Sequence, residues 1–419
     1  MTILRASTRD SLTAEEAARL TFHYERLRAV AAGVLETAGA TFLLLIAVSY
    51  FKAGRTEKAL LAAGFNPGLL LTPLVVYVVS RARLRATAAA ACLAALGALG
   101  FLVAATVPSL PVYMWGCLAG LLCGTSFVPL LTQMYQENYP GDRRGRLFTN
   151  AVMVRIATAA LFSFWAGWLL TPYLGLFRWL LLLYALALAG SAYCLWRCPS
   201  RPLARSSAGL FSGLRHVRDD YVFRQTLISW SLMGFANLMM YQLRVEYMAN
   251  SEYGVPFKTA VIAAVTGYIP NLARLVLSPV WGRLFDRMNF FTLRITLNVG
   301  LALGVIAFFA GRDLTGMVTG ALIYGVTNAG GEVAWGLWVT KLAPPERVAE
   351  YMAVHTFLTG VRGVGAPLLG YYLLKHCSFH TLSLVCTGLI AVATLMLIPE
   401  LRAGRQAKPG PGLVREVAD

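Results

Sequence analysis

Charge is what this chain has least of. Only 14% of its 419 residues are Asp, Glu, Lys or Arg, against 57% hydrophobic, and both values lie far from those of soluble domains. The missing charges leave about a dozen apolar stretches of roughly 20 residues, the length that crosses a bilayer core of about 30 Å as a helix. A soluble globular protein is excluded, and a polytopic membrane protein is expected. Cysteine is also sparse. The seven residues at 92, 117, 123, 194, 198, 377 and 386 form no CxxC and no metal-ligand spacing, so they read as buried thiols, with no metal and no cofactor implied. The five histidines (23, 216, 355, 376 and 380) are too scattered for the clustered acid–base groups of a membrane-embedded enzyme. No GxxxxGK[ST] string is present, which argues against an ATP-driven pump in one chain. The first 28 residues lack an apolar core, so no cleaved signal peptide is expected.

What is present is a regular alternation. Spans are expected near residues 29–51, 60–80, 86–107, 111–135, 147–171, 179–196, 225–248, 259–281, 292–311, 316–340, 351–374 and 379–399. The net charge of +17 could suggest nucleic acid, but most of the 37 Lys and Arg fall on one face of this topology, in the N-terminal segment, the even-numbered loops and the C-terminal tail. An excess of Lys and Arg in short loops marks the cytoplasmic side. Both termini are therefore expected in the cytoplasm, and no nucleic-acid partner is needed. Thr13 and Glu16 have the spacing of a capping box for a short cytosolic helix, and a solvated tail is the alternative.

The chain repeats itself. At an offset of 204 residues, Tyr139-Pro140-Gly141-Asp142-Arg143 aligns with Ala343-Pro344-Pro345-Glu346-Arg347, and Arg83 aligns with Arg287. The expected organisation is a cytoplasmic segment 1–28, a six-helix half 29–196, a linker 197–224, a second six-helix half 225–399 and a tail 400–419. Two six-span halves of parallel topology form a transporter plan with its binding site near the midplane.

Gly282-x-Leu284-x-Asp286-Arg287, followed by Arg294, resembles the loop motif of the major facilitator superfamily. With twelve spans and the 6+6 repeat, the resemblance covers residues 25–400. It implies an all-α fold of two pseudo-symmetric halves, alternating access, and a gating role for Gly282, Asp286 and Arg287, the Asp latching the halves in one conformation. Physically, Gly282 permits close helix packing, and Asp286, at a helix end, can accept bonds from a neighbouring helix N-terminus or an Arg. The first-half copy, Ser80-Arg81-Ala82-Arg83-Leu84-Arg85, lacks the Gly and the Asp, so a lopsided latch is expected. The resemblance also implies that spans three, six, nine and twelve face lipid. No charge is counted inside those four, with Arg294 assigned to the loop before span nine.

Ionisable groups at bilayer depth are costly, about 2.5–3.5 kcal/mol on insertion scales, and tend to face a cavity or a partner. Glu36, Arg155, Glu332 and Arg362 fall roughly 10–16 Å along their helices at about 1.5 Å per residue, and with Arg274 they are expected to line a central cavity. Structural ion pairs between helices are the alternative. His355 precedes Arg362 by two turns on the same face. Glu36, Glu332 and His355 are candidates for proton coupling. Three Arg against two Glu mildly favours an anionic solute, because guanidinium suits carboxylate and phosphate. Asn237, Tyr241 and Arg244 recur on one face of span seven, where cavity lining and interfacial snorkelling are both open. Trp335 and Trp338 follow Glu332 on the same helix, where a Trp could stack on a ring-bearing solute or serve as a packing or belt residue.

The expected function is a secondary active transporter for a small solute, coupled to a proton or ion, monomeric, in the inner membrane of a bacterium, and not an enzyme. Drug-type efflux of bulky hydrophobic compounds, or a non-transporting receptor or assembly protein on the same scaffold, are the alternatives.

Overall fold

The computed structural model describes residues 12–43, 46–47, 50–53, 60–61, 66–170, 174–204, 212–249, 257, 261, 264–374 and 376–402. These residues are almost entirely helical. In chain order the helices are α1 (Ala14–Thr37), α2 (Asn66–Leu70), α3 (Thr72–Arg81), α4 (Ala86–Thr106), α5 (Leu110–Ser126), α6 (Val128–Asn138), α7 (Arg144–Leu170) and α8 (Phe177–Arg197). There follow α9 (Ser212–Asp219), α10 (Tyr221–Ala249), α11 (Ile269–Arg287), α12 (Phe290–Phe309), α13 (Leu314–Leu337), α14 (Val339–Leu342), α15 (Val348–Leu373), α16 (Phe379–Leu395) and α17 (Ile398–Arg402). Pi-helical turns at Ala38–Phe42 and Ala264–Tyr268 adjoin α1 and α11.

Among the described residues, five segments are long and apolar enough to cross a membrane: Ala86–Thr106, Leu110–Asn138, Phe177–Arg197, Phe290–Phe309 and Phe379–Arg402. The chain is an integral membrane protein. Four of the five coincide with the spans expected to face lipid.

The expected capping box is present. Thr13 Oγ1 accepts from the Glu16 N–H at 3.3 Å, and the Thr13 N–H donates to Glu16 Oε2 at 2.9 Å. The helix it starts is not short, however. It continues to Thr37, because Ala, Leu and Val recur with no proline from residue 14 into the first expected span.

The described residues cluster into two compact units. One comprises Met1–Pro140, Asn150–Gly213 and Pro344–Gly360; the other Gly141–Thr149, Leu214–Ala343 and Val361–Asp419. Each borrows the start of a helix from the opposite half of the chain. The borrowed starts, the first turns of α7 and of α15, follow the two copies of the Pro-x-acid-Arg turn and so occupy equivalent repeat positions.

In the first unit, α4 packs on α5 and α8 through small residues. A Cβ on Gly100 would lie 2.8 Å from the Gly116 carbonyl oxygen, and one on Gly116 2.6 Å from that of Gly100. In the second unit the same contact recurs 204 residues later, between Gly304 of α12 and Gly320 of α13, with a Gly320 Cβ 2.8 Å from the Gly304 carbonyl. Without water to expel between helices in lipid, such backbone approach supplies the packing.

In the first unit, Glu25 is buried and accepts two bonds from Arg28 at 2.6 and 2.7 Å and one from the Tyr135 hydroxyl at 2.5 Å. Asn138 donates to Thr21 Oγ1 and to the Pro199 carbonyl. The start of the linker is thereby fixed to α1 and α6.

Candidate functional site

The five charges expected at membrane depth resolve into two ion pairs and one further arginine. In the first unit, Arg155 Nε of α7 lies 3.1 Å from Glu36 Oε2 of α1, one residue before the α1 C-terminus and its pi-helical turn. Their helices meet closely at Gly33, where a Cβ would crowd the Arg155 carbonyl and Thr158. In the second unit, Arg274 of α11 donates to Glu332 Oε2 of α13 through Nε at 2.7 Å and Nη2 at 2.5 Å, while Nη1 reaches Asn271 at 3.5 Å. Both carboxylates therefore face the guanidinium of another helix. The Gly330-Gly331 sequence before Glu332 has a use here: a Cβ at Gly330 would press on the Trp281 ring, 2.5 Å away.

Arg362 of α15 lies against α10. It is 5% exposed, its Nη1 is 3.5 Å from Ser231 Oγ, and a Cβ on Gly234 would fall 2.8 Å from its Nε. His355 is fully buried on α15, but belongs to the first unit, while Arg362 belongs to the second.

The gating-motif residues sit at the end of α11. Asp286 caps the start of α7: the Gly145 N–H donates to Oδ1 at 2.7 Å and the Arg146 N–H to Oδ2 at 3.1 Å. Only Gly fits at 145, since a Cβ there would lie 2.5 Å from the Gly282 carbonyl. Gly282 in turn faces Thr149. Burial pushes the Asp286 carboxyl above its usual range, opposed by the Gly145 and Arg146 amides and then by Lys341. Burial likewise lowers Lys341, with Asp286 opposing, and brings Arg144 down to about 10, again against Asp286. Arg287 is exposed.

In the first unit the position equivalent to Asp286 is Ala82, and the corresponding cap is made by another residue. Gln133 of α6 accepts from the Ala349 N–H at 3.1 Å and donates to the Pro345 carbonyl at 3.0 Å, holding the start of α15. The sequence motif could not indicate this, because the carboxamide comes from a different helix.

Arg294 corrects the sequence reading. It lies within α12, fully buried, with its guanidinium carbon 3.8 Å over the Trp230 ring, so one of the spans counted as charge-free holds a cation. Its proximity to the motif made it look like a loop charge; the apolar run of α12, which begins at Phe290, is the signal that places it in the helix. Trp338 is also a packing residue, stacked on Phe223, Trp230 and Phe290.

On α10, Asn237, Tyr241 and Arg244 share one face as expected. With Met240 they border a small pocket completed by Gly304, Val305, Phe308 and Phe309 of α12 and Gly320 and Tyr324 of α13. Asn237 hydrogen-bonds Tyr324. The side chain of Glu246, two residues beyond Arg244, lies outside those described.

The fold matches solved transporters along nearly its whole length. The human organic anion transporter MFSD10 superposes with a TM-score of 0.70 at 14% identity, covering 92% of this chain and 100% of its own. The E. coli fucose:proton symporter FucP gives 0.69 at 16%, covering 92% and 99%. A bacterial homologue of the iron transporter ferroportin gives 0.70 at 15%, covering 90% and 98%. No curated protein sequence matches. Residues 269–416 match the family model of the Major Facilitator Superfamily. The chain thus shares its fold with these transporters over nine-tenths of its length, and the family's sequence pattern is found in its second half.

Proposed function

We propose that the chain is a secondary transporter that moves a small solute by alternating access, with proton coupling through its two interhelical carboxylate–guanidinium pairs. The observation that supports this reading is the pairing itself: Glu36 with Arg155, and Arg274 with Glu332, each joining two helices at membrane depth. A carboxylate beside a guanidinium stays ionised; separated from it in a low-dielectric site, it takes up a proton. Helix movements that make and break such a pair couple protonation to conformation. Asn237, Tyr241, His355 and Arg362 line the solute pathway in this reading. Three arginines against two glutamates in this set support a preference for an anionic solute. The Asp286 cap on α7 is a contact that can exist in one conformation and not in the other, which is what a gating element requires. The setting is a bacterial plasma membrane, with both termini in the cytoplasm and the chain a monomer.

The test is flux into proteoliposomes for a solute found by its thermal stabilisation of the purified protein. Glu332→Gln should abolish accumulation driven by a pH gradient while leaving counterflow within a few-fold of wild type. Unchanged gradient-driven uptake in both Glu332→Gln and Glu36→Gln would overturn proton coupling at these pairs.

A further inference from the structure

Arg244 is a buried cation near the C-terminal end of α10. It is 5% exposed, and its guanidinium carbon lies 4.4 Å from the ring centroids of both Tyr241 and Tyr324, with Phe308 5.9 Å away. The two tyrosine rings are neighbours, 5.6 Å apart and tilted by 32°, so the cation rests over both at once. Ring faces attract a cation but accept no N–H bond in its plane. Of the in-plane donors, Nε reaches the Tyr241 carbonyl at 3.3 Å. Nη1 is enclosed and meets no acceptor among the described residues, and no carboxylate among them is paired with Arg244. A buried charged donor without an acceptor is costly.

The donor borders the pocket between α10, α12 and α13. That pocket offers about 10 Å³, the scale of one water-sized body, and its lining includes Asn237 and the exposed Tyr241. The internal repeat shows that the fold itself does not require this arrangement. At the offset of 204 residues, Tyr241, Arg244, Phe308 and Tyr324 correspond to Thr37, Ala40, Ala104 and Gly120. The Gly304–Gly320 backbone contact has its first-half equivalent, whereas the arginine and its rings have none.

We infer that Arg244, Tyr241, Tyr324 and Asn237 form a binding site for one small anionic group, a halide or a carboxylate, in the second half of the chain. The rings hold the guanidinium plane, its edge supplies the charge-assisted donors, and Asn237 and the tyrosine hydroxyls supply neutral ones. Arginine suits such a site because it is weakly hydrated and always charged. The inference extends the reading of Asn237 and Tyr241 as pathway residues, and binding to purified protein tests it whether or not the chain transports anything.

The experiment is thermal unfolding of the full chain in detergent, titrated with chloride or acetate against methanesulfonate at constant ionic strength. A saturable rise in melting temperature is expected for wild type, by mass action on the folded state. An effect of chloride alone identifies a free ion as occupant; an effect of acetate, with or without chloride, identifies a site that accepts the carboxylate of a solute. Arg244→Gln should weaken the apparent affinity at least tenfold. Gly304→Ala keeps the arginine and adds a methyl at the pocket wall, with only ordinary contacts to Gly320 and Tyr324 at 3.4 Å; it should weaken binding by a similar factor even if Arg244→Gln fails to fold. No saturable shift with either anion in wild type, or the same shift in wild type and Gly304→Ala, would overturn the site.

Discussion

Asp286 shows how a single residue is caught between opposing effects. Its carboxylate accepts two amides of α7 and lies near Lys341, all of which favour ionisation, yet burial outweighs them and holds its proton affinity above the usual range. A group whose folded-state pKa is raised stabilises the fold fully below its unfolded value, and that contribution is lost as pH rises through the folded value. The melting temperature of wild type relative to Asp286→Asn should therefore fall with rising pH across the acidic range just above 3.8, the ordinary value. Melting curves of both proteins check this, and a difference that grows with pH would mean that the amide bonds outweigh burial. Asp286 and its motif were legible in the sequence, as were Glu36, Arg155, Arg274 and Glu332 as charges in apolar spans. Which carboxylate meets which guanidinium was not, because pairing is decided by helix neighbours far apart in sequence. Arg244 and Arg294 are lodged against aromatic rings of other helices, so nothing in their local sequence separates them from snorkelling or loop arginines.

At the scale of the element, helix existence followed from apolar length, while helix ends and contacts depended on small residues. The break between α5 and α6 falls at Phe127, just ahead of Pro129, whose ring cannot continue the hydrogen-bond ladder. A run through the membrane was legible there; the interruption needed the proline to be weighed against an otherwise unbroken span. Packing of α4 on α5 rests on Gly100 and Gly116, whose repeat equivalents Gly304 and Gly320 make the matching contact of α12 on α13. Gly116→Ala would set a methyl 2.6 Å from the Gly100 carbonyl, and the two helices would have to separate. It should cost about 1–3 kcal/mol, the usual range for overpacking. Gly124→Ala, whose methyl would meet only Leu188 at 3.7 Å, is expected to be nearly neutral. Chemical unfolding of the two variants in detergent separates the cases, and equal losses would show that the cost comes from the helix backbone rather than the contact.

For the whole molecule, the 204-residue repeat is the main organising fact. It places the starts of α7 and α15 as equivalent segments, each captured by a cap: Asp286 for α7, Gln133 for α15. One cap can titrate and the other cannot, so the repeat is kept in geometry but not in chemistry, and only the titratable copy carries the Gly-x-Leu-x-Asp-Arg motif. α15 makes a further contact with the first half of the chain. Thr356 Oγ1 donates to Thr72 Oγ1 of α3 at 2.8 Å, Thr72 Oγ1 reaches the Ala353 carbonyl at 3.2 Å, and both threonines are fully buried. Alternating access requires helices of the two halves to part at one end in one of the two states. If α3 and α15 part, their hydroxyl contact must break on every cycle. Cysteines at these two positions would bring sulfur atoms to the places of oxygens already in contact, within reach of a disulfide. Thr72→Cys/Thr356→Cys should therefore cross-link on mild oxidation, lose at least tenfold in solute flux, and regain it on reduction, while each single variant keeps its flux in both conditions. A cross-linked protein that transports at the wild-type rate would show that α3 and α15 move as one body, and the moving interface would then have to be sought elsewhere in the repeat.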